Sequence, residues 1–201
     1  MIINWYGQNC FRINVQTAKD QAVNILVDPP DKESGLRSPK MEADILLVDS
    51  GGAAASGNYF LITGPGEYEI KGVYIEGIPS SKNTIYTIRA EEIKICHLGK
   101  FNQDELTPDQ LERIGDIDIL MIPVGARETI DSRKAVKIMS QIEPKIIIPM
   151  NYKIPKMKIK LDPVDNFLKS LGIKSLPALP KLSIKKKDIS AEEAKIVVLE
   201  P

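Results

Sequence analysis

Short runs in which apolar and polar positions alternate, bounded by Gly, Pro and Asp, dominate the first half of the chain. A period of two residues favours β-strands, because alternate side chains then face a core and the solvent. The pattern predicts strands over 2–5, 10–15, 23–27, 45–48, 59–63, 68–70, 72–76, 84–88 and 93–97. Turn signals such as Asp28-Pro29-Pro30 and Gly64-Pro65-Gly66 separate these runs.

Helical spacing begins in the second half. Thr107 followed by Pro108 and Gln110 forms a capping-box pattern, which predicts a helix that ends at Gly115. A second helix, capped by Asp131 or Ser132, and a third, over about 162–172, are predicted from apolar residues at three- and four-residue spacing. Further strands are predicted over 117–124, 145–150, 182–186 and 196–199. Strands followed by strand–helix alternation indicate an α/β (α+β) fold, with sheets covered by helices, in a single domain over 1–201.

Composition restricts the classes of function. The formal net charge of the 201 residues is +0, so no overall field attracts nucleic acid or an anionic membrane. Lysines alternate with apolar residues over 153–160 and 181–187, which we interpret as solvated edges. Cys10 and Cys96 lie in separate apolar runs, which indicates buried thiols in a reduced, cytoplasmic protein. We find no signal-peptide pattern and no apolar run near the ~20 residues that span a bilayer.

The segment from Asp44 to Asn58 is the most informative stretch. An apolar strand over 45–48 runs into a loop of small residues, and loops after buried strands usually carry the chemistry of α/β proteins. After Asp49 at its start, this loop contains no carboxylate, imidazole or thiol. The chain has a single histidine, His97, whereas a hydrolytic zinc site normally uses two or three. The loop therefore has the position of an active site without its usual side chains.

Short motifs along the chain occur in an order that resembles a known family. They are Gly7-Gln8-Asn9-Cys10-Phe11, Asp28-Pro29, Ala43-Asp44-Ile45-Leu46-Leu47-Val48, Gly64-Pro65-Gly66-Glu67-Tyr68-Glu69, His97-Leu98-Gly99, Ile122-Pro123-Val124-Gly125 and Ile148-Pro149-Met150-Asn151-Tyr152. Together they resemble the metallo-β-lactamase-fold hydrolases, specifically the small bacterial branch related to L-ascorbate-6-phosphate lactonase. The resemblance covers Met1 to about Leu199. It implies a four-layer αββα sandwich, with two mixed sheets and helices on the outer faces, and Zn-dependent hydrolase chemistry in the relatives.

The resemblance breaks down at the metal ligands of the family. The motif His-x-His-x-Asp-His falls on Ser50, Gly52, Ala54 and Ala55. The ligand Asp of Gly-Asp falls on Lys100, and the His of Pro-Met-His-Tyr falls on Asn151. Gln8 stands where relatives carry a histidine, and Ile78-Pro79 is not followed by one. Zinc supplies the hydroxide nucleophile by lowering the pKa of bound water to about 7. We therefore expect no zinc, no other cofactor and no catalytic residue of the family type.

Two functions follow from this pattern. The first is a non-catalytic binding or regulatory homologue with a small-molecule or protein partner. It would use neither membrane nor nucleic acid, and homo-oligomerisation is left open. Its vestigial pocket would contain Asp28, Asp49, Ser50, Gly52, Ala54, Ala55, His97, Lys100 and Asn151. The second is a hydrolase that uses Asp49, His97 and Ser50, although Ser50 lacks the G-x-S-x-G pattern of a nucleophile elbow.

His97 and Lys100 each have two interpretations. His97 is either a base or lone metal ligand, or a core histidine that is held by a hydrogen bond at a strand end, and we favour the core interpretation. Lys100 either occupies part of the space of the family's metal, paired with Asp28 and Asp49, or extends into solvent on its long stem.

Overall fold

The computed structural model describes residues 1–17, 21–30, 34–36, 39, 42–49, 58–190 and 193–201. The first sheet contains β1 (Ile2–Trp5), β2 (Phe11–Gln16), β3 (Ala22–Val27), β4 (Ile45–Leu47), β5 (Phe60–Ile62) and β12 (Leu182–Ser183). The second contains β6 (Gly66–Ile70), β7 (Val73–Pro79), β8 (Thr84–Ala90), β9 (Ile93–His97), β10 (Ile119–Pro123), β11 (Ile146–Met150) and β13 (Lys195–Ile196). The helices are α1 (Pro108–Ile114), α2 (Ser132–Ile142) and α3 (Val164–Ser170).

Both sheets are mixed. The first has the order β12-β1-β2-β3-β4-β5. Its β12, β1, β2 and β3 are antiparallel neighbours, and β3, β4 and β5 run parallel. The second has the order β13-β11-β10-β9-β8-β7-β6. Its β6 to β9 form an antiparallel meander, and β9, β10, β11 and β13 run parallel. Each sheet therefore has a set of parallel strands whose carboxyl ends lie at a common edge.

The main core lies between the two sheets. Along β3, Val23, Ile25 and Val27 point into this core, whereas Leu26 points to the opposite face, because successive side chains of a strand alternate. The second face carries a smaller apolar cluster of Cys10, Leu26, Ala43, Leu46 and Val48. Each fully buried Val, Leu or Ile stabilises the fold by about 1.5–3 kcal/mol. The apolar pattern thus holds both sheets together and fixes the register of their strands.

The helices pack beside the second sheet. The main contacts of α1 are with β7 and α2, and those of α2 are with β10 and α3. A full capping box starts α1: the Gln110 N–H donates to Thr107 Oγ1 at 3.2 Å, and the Thr107 N–H donates to Gln110 Oε1 at 3.0 Å. Asp131 caps α2 by accepting from the N–H groups of Arg133 and Lys134. No helix in the described ranges is long and apolar enough to cross a membrane.

The predicted fold class is confirmed, because two mixed sheets and a few helices form an α/β sandwich. The differences are local. β8 continues to Ala90, since Glu91 and Glu92 alone make the turn with φ of 53° and 60°. The strand predicted over 182–186 is shorter: β12 covers only Leu182 and Ser183, which pair with Ile3 and Ile2, and a 3₁₀ turn begins at Lys186.

Candidate functional site

The candidate site lies where the parallel strands of the two sheets end. Asp28 follows β3 and Asp49 follows β4 in the first sheet, whereas His97 ends β9 and Asn151 follows β11 in the second. A hydrogen bond joins the sheets here, because Asp49 Oδ1 accepts from the Thr84 N–H at 2.8 Å. Strand ends of this kind are where open α/β sheets place their ligands. The topology therefore brings these residues to one end of the sandwich.

Asp28 and Asp49 form a linked pair of carboxyl groups. Asp28 has a φ of 42°, and its Oδ1 accepts from the Asp49 N–H at 2.8 Å. Burial raises the pKa of Asp28 to about 6, against the opposing effects of that hydrogen bond and of the Lys100 charge. Burial also raises the pKa of Asp49 to about 6, and the negative charge of Asp28 adds to this rise. The hydrogen bond from Thr84 and the charge of Lys100 lower the pKa of Asp49 again.

His97 belongs to the core. Its side chain is fully buried, and its Nε2 lies 3.0 Å from the carbonyl oxygen of Asn9. Because a carbonyl can only accept, Nε2 carries the proton and Nδ1 is an acceptor. The ring also meets Phe11 edge-on, with centroids 5.8 Å apart. Burial lowers the pKa of His97 to about 4, so the ring is neutral at pH 7. The core interpretation of His97 is confirmed.

Buried acceptor atoms without a partner occur around this pair and this histidine. They are Asn9 Oδ1, Asp28 Oδ2, Asn83 Oδ1 and His97 Nδ1, and none accepts a hydrogen bond from a described residue. A buried acceptor that is left unsatisfied costs about 1–3 kcal/mol. Asn83 is held at this place by its Nδ2, which donates to the Leu98 carbonyl at 2.8 Å. A cluster of unsatisfied buried acceptors lowers the stability of a fold, and such a cluster is typical of a functional site.

A cavity of about 400 Å³ opens beside the strand ends. The described residues that line it are Gln8, Lys100, Ala126, Arg127, Glu128, Thr129, Asn151, Lys158, Ile159 and Leu161. Four of them have a positive φ although none is glycine: Gln8 (47°), Ala126 (63°), Arg127 (64°) and Asn151 (52°). Left-handed backbone at such residues is strained and clusters at functional sites. The cavity and the backbone conformation therefore indicate the same region.

The expected ion pair of Lys100 with Asp28 and Asp49 is wrong. Lys100 is exposed at the cavity, and no ion pair among the described residues includes it. Its long apolar stem lets the ammonium stay in water, which avoids the cost of burying a charge. Its charge still lowers the pKa of both carboxyl groups, so it lies within electrostatic reach of them.

The other predicted residues divide into two groups. Asp28 and Asp49 are joined by a hydrogen bond, and His97 is close enough to affect the pKa of Asp49. Asn151 lines the cavity, where its N–H donates to the Gln8 carbonyl at 3.0 Å. Ser50, Gly52, Ala54 and Ala55 lie outside the described residues, so their assignment to the pocket stays a prediction.

The sequence pattern does not single out Arg127 or Thr129, and it indicates a solvated edge for the stretch 153–160 that contains Lys158, yet all three residues line the cavity. A usable signal existed for Arg127 and Thr129, because they follow the buried parallel strand β10 and such loops often carry ligand contacts.

The side chains of this site do not fit a zinc ion. In the described part of the chain, no group of three or more His, Cys, Asp or Glu side chains is placed to hold a metal together. The segment 50–57 consists only of Ser, Gly and Ala, none of which is a usual zinc ligand. The single imidazole already uses Nε2 for its bond to Asn9. Within the described ranges, the donors therefore do not supply the three protein ligands of a catalytic zinc.

Two sheets packed face to face, with a polar site at the ends of their parallel strands, define a metallo-β-lactamase-type sandwich. The family model described as Beta-lactamase superfamily domain matches residues 2–151. The chain belongs to this superfamily, in the branch of metallo-β-lactamase-fold, metal-dependent hydrolases.

Individual relatives agree with this placement. A crystal structure from Thermotoga maritima, of a protein assigned to the Zn-dependent hydrolases of the metallo-β-lactamase superfamily, is 35% identical, covers 100% of both chains and has a TM-score of 0.84. A UPF0173 protein of Pyrococcus abyssi is 28% identical and covers 76% of this chain and 83% of its own. A UPF0173 metal-dependent hydrolase of Methanopyrus kandleri is 24% identical, and the match covers 76% of this chain and 84% of that protein. The narrower expectation of a small bacterial branch stays a prediction.

Proposed function

We propose that this protein is a non-catalytic member of the metal-dependent hydrolase family, which binds a ligand in the cavity beside the former metal site. One observation carries the proposal: the positions of the family's ligands hold Ser50, Gly52, Ala54, Ala55, Lys100 and Asn151, and the described donors around them do not form a metal-binding group. The lysine at the position of an acidic ligand also brings a positive charge within electrostatic reach of Asp28 and Asp49. That charge opposes the return of a metal.

The alternative hydrolase with Asp49, His97 and Ser50 is less well supported. The neutral, fully buried ring of His97 is committed to the Asn9 carbonyl, so it is a poor base for a ligand in the cavity. Asp49 is half-buried and has a pKa of about 6, which would suit a general base. The alternative can therefore be tested by substitution of Asp49.

Elemental analysis of protein purified without chelator tests the proposal. A matched variant restores the family's ligand pattern through Ser50→His, Gly52→His, Ala54→Asp, Ala55→His, Lys100→Asp and Asn151→His. We expect substoichiometric zinc and iron in the natural chain and stoichiometric metal in the restored variant. Stoichiometric, tightly held zinc or iron in the natural chain would contradict the proposal. So would metal-independent ester or phosphoester hydrolysis that Asp49→Asn abolishes.

A further inference from the structure

The cavity beside the strand ends carries an excess of positive charge. Its described lining contains the side chains of Lys100, Arg127 and Lys158, against the single carboxylate of Glu128. All of these charged groups are exposed to solvent at the cavity. Asp28 and Asp49 are not among the lining residues, although the Lys100 charge also acts on them. An anion that enters the cavity therefore meets mainly cationic side chains.

The three cavity cations differ from those surface cations that form ion pairs. Lys71, Lys134, Lys137 and Lys145 each form an ion pair with an Asp or Glu side chain, and Arg113 does so with Glu76. Among the described residues, no ion pair includes Lys100, Arg127 or Lys158. Their charge is therefore not neutralised by a carboxylate of the described chain and is available to a ligand.

The backbone holds two of these cations in place. The N–H of Lys158 donates to the Ser34 carbonyl at 3.0 Å, and its stem packs so closely on Gly35 that a Cβ there would lie 2.8 Å from Lys158 Cγ. Arg127 follows Ala126 in a turn that keeps both residues left-handed. Such a conformation costs about 1–2 kcal/mol per residue. Strain of this kind is typical of ligand sites.

The remaining lining is partly apolar and partly a fixed polar network. Ile159 and Leu161 supply an apolar wall. The buried Asn151 donates from Nδ2 to Thr129 Oγ1 at 3.3 Å, and the Thr129 hydroxyl donates to the Ala126 carbonyl at 3.1 Å. The cavity volume of about 400 Å³ lies in the range of small-molecule sites. An occupant should therefore combine a charged group with an apolar body.

We propose that this cavity binds a small organic anion, in which a phosphate or carboxylate group meets Lys100, Arg127 and Lys158 and an apolar body meets Ile159 and Leu161. The inference rests on the proposed function, because it names the ligand class of the same site. Lysine and arginine are the usual donors to such oxyanions, and the charge-assisted hydrogen bonds they form are the stronger ones.

Calorimetric titration of zinc-free protein at low salt tests the ligand class. The probes are phenyl phosphate, phenylacetate, inorganic phosphate and neutral benzyl alcohol. We expect saturable binding of phenyl phosphate or phenylacetate, with the stronger of the two identifying the anionic group. Inorganic phosphate should bind more weakly because it lacks the apolar body, and benzyl alcohol should not bind measurably. Binding should weaken as salt is added.

A charge-matched pair of variants tests the residues. In the cavity variant, Lys100→Gln, Arg127→Gln and Lys158→Gln remove the three cations. In the control, Lys71→Gln, Lys134→Gln and Lys137→Gln remove the same charge from paired surface lysines. Each exposed cation should contribute a few-fold to affinity, so we expect the cavity variant to bind roughly 10- to 100-fold more weakly. We expect less than a roughly twofold change in the control.

The outcomes separate this inference from the proposed function. No binding of either organic anion by zinc-free protein, or equal loss in both variants, would overturn the inference and leave the non-catalytic proposal intact. Binding that appears only after zinc is added, or release of phenol from phenyl phosphate, would overturn the proposed function instead. The cavity variant should unfold at the same urea concentration as the natural protein, because the exposed cations it removes make no ion pair.

Discussion

At the scale of single residues, the site is defined by polar groups whose burial is only partly compensated. Asp28 accepts a hydrogen bond with Oδ1 but not with Oδ2, and His97 uses Nε2 but not Nδ1. Burial raises the pKa of Asp28 and lowers the pKa of His97, and both shifts favour the neutral form of the side chain. The carboxyl group and the imidazole therefore respond to pH in opposite directions, over an overlapping range.

The signs of these two effects follow from proton linkage. The pKa of Asp28 rises from 3.8 to about 6 on folding, so the folded state holds its proton more tightly and loses stability as pH rises through this range. The pKa of His97 falls from 6.5 to about 4, so the unfolded state binds the proton more tightly and stability is lost as pH falls through this range. The contributions of Asp28 and His97 therefore partly cancel in the pH dependence of the free energy of unfolding. A variant of one residue is needed to isolate the contribution of either group.

Asp28→Asn isolates the carboxyl group. Asparagine can still accept the Asp49 N–H, but it removes the cost of a buried charge at pH 7. We expect the free energy of unfolding of the variant, relative to the natural protein, to increase between pH 4 and pH 7 by about 2 kcal/mol. Urea unfolding at several pH values, followed by circular dichroism, measures this difference. A difference that does not change with pH would show that folding does not shift the pKa of Asp28.

At the scale of elements, the ends of strands β10 and β11 form one wall of the cavity through a very close backbone approach. A Cβ at Gly125 would lie 2.0 Å from the Asn151 carbonyl oxygen, so only glycine fits after β10. The Val124 N–H also donates to the Met150 carbonyl at 3.0 Å, which continues the pairing of the two strands toward the site. The motifs Ile122-Pro123-Val124-Gly125 and Ile148-Pro149-Met150-Asn151 are thus two halves of one structure.

Gly125→Ala tests this close approach. The added methyl group must displace the backbone of Asn151, and we expect a loss of about 3 kcal/mol in the free energy of unfolding. Gly172→Ala is the control, because nothing lies within 4 Å of its Cβ position and only its φ of 74° opposes alanine. That variant should lose about 1 kcal/mol. Equal losses in the two variants by urea unfolding would refute the packing argument at Gly125.

The same elements show what the sequence could predict. Alternating residues and caps act locally, so the extents of β1, β9 and α1 follow from the sequence alone. The cavity does not, because Gln8, Arg127 and Lys158 come from distant loops that the order of the strands brings together. The direction of Lys100 also lay beyond sequence reasoning, because hydration of its ammonium outweighed the attraction of two carboxyl groups that lie in electrostatic reach.

At the scale of the whole molecule, apolar packing and contacts of the chain ends hold the two sheets together. The main core runs between the two sheets from β1 to the C-terminal residues Val197, Val198 and Leu199. The N-terminus is fixed as well, since its ammonium group lies 2.5 Å from Glu91 Oε2 and donates to the Ile184 carbonyl at 3.0 Å. We therefore expect the apolar core and these terminal contacts to support cooperative folding without a metal.

A metal that binds the native state would also stabilise the fold. A ligand that binds only the native state raises the free energy of unfolding by RT ln(1 + [L]/Kd), which amounts to about 2.7 kcal/mol at a hundredfold excess over Kd. We therefore expect EDTA and added zinc to leave the urea midpoint of the natural protein unchanged, with one cooperative transition in both conditions. The variant with restored ligand positions should gain stability with zinc and lose that gain with EDTA, which shows that the assay can detect a bound metal. A lower midpoint of the natural protein in EDTA, or a loss of cooperativity, would mean that a metal contributes to its fold and that the site still binds one.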